Sequence, residues 1–67
     1  MMMVSNIENK YKRLRLQNKL SISEASLKLD ISKGTLYNVE QGIRQPGIKL
    51  KVKMCEVYKT NLTELED

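Results

Sequence analysis

From Ser32 to Arg44 the chain sets out Ser32, Lys33, Gly34, Thr35, Tyr37 and Asn38, with Arg44 a few residues on. The chemistry open to such a set is recognition. An ammonium and a guanidinium neutralise an anion. A carboxamide such as Asn38 donates and accepts side by side, so it can hold two atoms of a planar partner at once. Nothing comparable exists for making or breaking bonds. The chain has no histidine and no glycine-rich phosphate loop. Its single cysteine, Cys55, falls on an apolar helical face without a base in the pattern, so no nucleophile, metal set or internal disulfide emerges. The sequence predicts no catalytic residues, no metal and no cofactor.

These side chains need a rigid mount, and the stretch Ile22 to Gly42 predicts one. Ala25 and Leu29, with Leu27 between them, and then Leu36 and Val39, form two short apolar-periodic segments either side of Asp30-Ile31-Ser32. A serine that can cap a helix precedes each: Ser21, with Glu24 three residues later as a capping box, and Ser32. Two helices of about two turns joined by a tight turn make a helix-turn-helix unit over residues 22–42. Asp30 takes the turn, where a left-handed backbone is wanted, and Gly42 stops the second helix. With Leu36 and Val39 facing in, Lys33, Gly34, Tyr37 and Asn38 lie on the opposite side, and Thr35 lies at the margin. Gly34 has two readings: a backbone that must approach a partner closely, or a flaw the helix tolerates.

The flanking chain completes an all-α domain of five helices. Ser5 and Glu8 form another capping box, opening a first helix over about Asn6 to Asn18 with Ile7, Tyr11 and Leu14 on one face. Leu20 plugs the gap before the second helix. Gln45-Pro46-Gly47 is loop chemistry. A fourth helix is predicted over Ile48 to Lys59, with Ile48, Val52, Cys55 and Tyr58 on its inner face, widened by Leu50, Met54 and Val57. Asn61 and Glu64 then cap a short last helix carrying Leu62 and Leu65.

At 67 residues, the chain is read as a single domain, 1–67. A core this small yields only about 3–5 kcal/mol net, so help from dimerisation or from idealised helix packing is expected. Residues 10–53 hold eleven of the twelve Lys and Arg against three acids, Glu24, Asp30 and Glu40, for +8; residues 54–67 sum to −3. A basic body with an acidic tail fits a polyanion met on one side, although a lysine-rich surface also serves solubility alone. A helix-turn-helix with that charge has one well-attested use, placing its second helix in the major groove of double-stranded DNA. The lone cysteine and the lack of a long apolar run predict a soluble, cytoplasmic protein.

Leu20-Ser21, the run ISEASLKLDISKGTLYNVEQG, and then Arg44 and Pro46 resemble the lambda-repressor-like helix-turn-helix proteins, the Xre or Cro/repressor family. The likeness runs from about Leu14 to Leu65 and is most specific at Val39-Glu40-Gln41-Gly42 with Pro46 four residues on. It implies a compact five-helix domain, usually bound as a homodimer to a palindromic operator. The family's base-reading and phosphate-contacting positions fall on Ser32, Lys33, Gly34, Thr35, Tyr37 and Asn38, and its phosphate-touching loop position falls on Arg44. A structural ion pair is implied between Arg15 and Glu40. The chain departs from the family pattern at Ile22, where relatives carry glutamine, at Ser26 for alanine, at Asp30 for glycine and at Lys51 for an apolar residue.

Each position has a plainer rival. Asn38 suits adenine N6 and N7, or is an exposed asparagine without a role; Lys33 suits phosphate more than guanine. Thr35 meets a thymine methyl or phosphate, or serves the capping turn. Tyr37 packs on sugar, or edges the core. Arg44 contacts phosphate, or is a solvated loop cation. The expected function is a transcriptional regulator, a repressor, acting as a homodimer through Val57, Tyr58, Leu62 and Leu65, unless these only complete the monomer core. The alternative is a protein-interaction module or an antitoxin on the same fold, with a protein partner; Ile22 and Gly34 favour it.

Overall fold

The computed structural model describes residues 10–65, which form α1 (Lys10–Gln17), α2 (Ile22–Leu29), α3 (Lys33–Glu40), α4 (Ile48–Tyr58) and α5 (Leu62–Leu65). There is no strand among them. The Ser5–Glu8 box and Ile7 lie outside the described residues. None of the described helices is long and apolar enough to cross a membrane.

Local chemistry sets the helix ends. The Ser21 hydroxyl accepts from the Glu24 amide at 3.0 Å, and the Ser21 amide donates to the Glu24 carboxylate at 2.9 Å, closing the box. Because those bonds favour the charged form, Glu24 is held below the usual carboxylate range. At the other end of α2, Asp30 is left-handed (φ 61°), as the turn requires, and its amide reaches back to the Leu27 carbonyl. Lys19 (φ 57°) and Lys59 (φ 56°) adopt the same conformation after α1 and α4. The chain therefore closes three helix ends with residues that carry a Cβ where glycine would be easier. Asn61 caps α5 by accepting from the Glu64 amide at 3.1 Å.

The core gathers Tyr11, Leu14, Ala25, Leu29, Leu36, Val39, Met54, Tyr58 and Leu65. α2 packs on both α3 and α4, α1 on α3, and α5 on α4. Ala25, fully buried, lets α2 approach its neighbours closely. Leu20 and Ile22 pack against this core, whereas Leu27 is 82% exposed.

α4 keeps the predicted facing at Cys55 and Tyr58, widened by Leu50, Met54 and Val57, and departs from it at Ile48 and Val52. Ile48 and Val52 point to solvent, 59% and 46% exposed, while Met54 and Tyr58 are buried and Leu50 and Val57 pack beside them. Apolar residues surround this helix, and the supports offered by α2 and α5 select which arc is covered. Lys51, where the family has an apolar residue, is half-buried, a place where a lysine can cover apolar surface with its stem. Tyr58 and Leu65 lie inside the monomer, 2% and 1% exposed, so neither has surface to offer a second copy. Asn18 lies just beyond α1 and fastens it to α4, its amide donating to the carbonyls of Leu14 (2.9 Å) and Tyr58 (3.0 Å).

Candidate nucleic-acid interface

α3 begins at a built cap. The Ser32 hydroxyl accepts from the Thr35 amide at 3.0 Å and donates to the Thr35 hydroxyl at 2.9 Å. Thr35 therefore serves the capping turn, yet its own hydroxyl proton remains free to donate outward. The first turn carries no acid, so the positive end of the helix dipole faces out beside Lys33.

Leu36 and Val39 hold the back of α3 in the core at 0% and 1% exposure, which turns the other side outward. Lys33, Gly34 and Tyr37 are exposed, and Thr35 and Asn38 are half-exposed. The side chains of Lys33, Tyr37, Asn38 and Arg44 make no hydrogen bond or ion pair among the described residues. Gly34 is open: a Cβ there would meet only the Ser32 hydroxyl oxygen, at 4.0 Å. Nothing among the described residues requires a glycine at that position.

The loop that carries Arg44 is tied to the end of α3. Gly42 (φ 80°) turns the chain, and the Asn38 carbonyl accepts from the amides of Ile43 (2.9 Å) and Arg44 (3.2 Å). Asn38 thus presents a free carboxamide outward while its backbone anchors the loop. Pro46 is buried and fixes the loop's far end, and α4 opens at Gly47, which offers no side-chain cap to the amides that follow. That uncapped first turn, with Lys49 in it, was not marked by the sequence pattern; its signal is a glycine where a serine or aspartate would serve better.

Glu40 is the one acid on α3, and it does not face outward. It is 3% exposed and takes two bonds from Arg15, Nε to Oε2 at 2.8 Å and Nη2 to Oε1 at 3.1 Å. Arg15 also donates to the Leu20 carbonyl at 2.9 Å. The guanidinium thereby joins α1, the α1–α2 link and the end of α3. The Glu40 bond, outweighing the cost of burial, holds Arg15 above its ordinary value. The Tyr58 hydroxyl is buried in the same region without a hydrogen-bond partner among the described residues, and burial, together with Glu40, pushes it up to about 12.

The outer side of α3 is therefore polar, uncovered and free of negative charge, and a cationic loop is fixed beside it. No cluster of three or more metal-ligating side chains occurs among the described residues. No curated protein matches the chain. A family model described as helix-turn-helix matches residues 12–65. With that match over most of its length and five helices in this order among the described residues, the chain belongs to the Xre/lambda-repressor-like helix-turn-helix family of DNA-binding regulators.

Proposed function

We propose that this single domain is a sequence-specific repressor that reads the major groove of a palindromic operator with α3, as a homodimer. The observation that carries the reading is the outward side of α3: Lys33, Gly34 and Tyr37 lie exposed and Thr35 and Asn38 half-exposed, while the helix's only acid is buried against Arg15. In this reading cations and amides fix the register on phosphate, and side chains read base edges. Ser32 sets the cap from which α3 projects. Lys33, Arg44 and the Thr35 hydroxyl hold phosphates, Tyr37 packs on sugar, and Asn38 pairs with an adenine. Gly34 lets the backbone come close to the duplex. Repression follows because occupying a promoter excludes other proteins from it.

The alternative, a protein-interaction module or an antitoxin, rests on Ile22 and Gly34. Ile22 packs against the core, so its replacement of a polar residue is accounted for within the fold. Gly34 serves either reading.

Duplexes selected by the protein from a random library test the proposal. Asn38→Ala is expected to lower discrimination between selected and scrambled duplexes by about 1–3 kcal/mol. Arg44→Ala is expected to weaken both alike and to flatten the salt slope by about one unit. Equal losses on every duplex from both variants would reject base reading by Asn38. Binding that ignores salt would reject the function.

A further inference from the structure

The arc of α4 that the core leaves uncovered has an ordered content. At 100° per residue, Ile48, Val52, Glu56, Lys49 and Lys53 fall together on one side of the helix, and all five are exposed. Ile48 and Val52 are its apolar part. Glu56 has no ion-pair partner among the described residues. An acid toward one end of the stripe and a lysine toward the other is the arrangement that becomes complementary when the stripe meets itself reversed. Lys49 lies three residues before Val52 and Glu56 lies four after it, so antiparallel pairing about Val52 sets each Lys49 beside the second copy's Glu56, twice over. The two Val52 side chains meet at the centre, and each Ile48 covers the stem of the opposing glutamate.

We propose that the outer face of α4 is a self-complementary contact with a second copy of this chain, laid antiparallel across a two-fold axis at Val52. The surface is small beside the ~800 Å² per partner of a standard stable interface. The two basic bodies also repel one another in free solution. The contact is therefore weak alone and strengthens when a duplex neutralises two copies side by side. That use rests on the DNA reading above; the contact itself does not.

Disulfide trapping tests it. Val52→Cys, in a Cys55→Ser background, places a thiol at the two-fold axis. Leu27→Cys, 82% exposed on α2, reports random collision in the same background. Under mild oxidation Val52→Cys is expected to crosslink at least about tenfold faster than Leu27→Cys, and faster again when a mixed-sequence duplex is added. Adding Lys49→Glu or Glu56→Lys alone reverses both symmetry-related pairs, and is expected to cut the rate about five- to tenfold. Combining the two restores it, which a merely structural effect would not do. Equal rates for the two cysteines, or no rescue by the double exchange in folded variants, would overturn the proposal and leave the face to solvent or to another protein. Trapping with rescue but no binding to any duplex would reject the proposed function and leave this contact standing. Duplex binding without trapping would do the reverse.

Discussion

Replacing Gly34 with alanine separates what the fold needs at that position from what a duplex would need. Gly34 is the second residue of α3 and is exposed. Gly42 is the glycine whose φ lies in the left-handed region; Gly34 does not share it, so its backbone suits any residue. A methyl group there would sit 4.0 Å from the Ser32 hydroxyl oxygen, an ordinary contact, and would displace nothing. Alanine favours a helix over glycine by up to about 1 kcal/mol, partly by restricting the unfolded chain. Near a helix start we expect about 0.3–1 kcal/mol. For a domain of this size that raises Tm by roughly 2–6 °C. If the bare backbone faces DNA closely, the same methyl should weaken binding by about tenfold or more, which corresponds to ~1.4 kcal/mol. Thermal melting by circular dichroism and anisotropy titration on a selected duplex read the two effects on one sample. The expected outcome is opposite signs: a more stable protein that binds worse. A fall in Tm would refute the reading of Gly34 as open. A rise in Tm with unchanged affinity would refute close approach and leave the glycine as a tolerated flaw.

Glu40→Ala strands Arg15 where its side chain is only 8% exposed. Such a break costs about 3–5 kcal/mol, comparable with the whole net stability of a domain this small. Circular dichroism should show the variant largely unfolded at room temperature, while Arg15→Met with Glu40→Leu should fold; a cooperative melt in Glu40→Ala close to that of the parent would refute the pair's importance. Tyr58→Phe removes a buried hydroxyl that lacks a partner and should leave stability unchanged or raise it by about 1 kcal/mol. The folded Tyr58 titrates at about 12, above its ordinary value of 10.0, so its neutral form favours folding below pH 10 and that contribution is lost as pH rises toward 12. Melts across that window should fall less steeply in Tyr58→Phe, and parallel curves would count against the assignment. Asp30→Gly relieves a left-handed residue at the end of α2 (φ 61°) and should stabilise by about 0.5–1 kcal/mol in urea titrations. A loss of stability there would show that the aspartate side chain has a role beyond the turn.

The sequence alone determined what short-range chemistry controls. The caps at Ser21, Ser32 and Asn61 each use a partner three residues away, so residue types at fixed spacing were enough to find them. The left-handed turn at Asp30 and the stop at Gly42 were legible for the same reason, as was the inward facing of Leu36 and Val39. Arg15 and Glu40, 25 residues apart, were reached only through the family resemblance, because no local rule joins them. The tertiary structure alone decided which side of α4 is covered. Valine, leucine, isoleucine, methionine, cysteine and tyrosine surround that helix, and periodicity cannot choose between two apolar arcs. It likewise kept Leu65 within the monomer, buried Pro46 and left Ile48 and Val52 in solvent. Burial depends on which surfaces the other helices bring together, and those contacts join residues distant in the chain, beyond the reach of any pattern read along it.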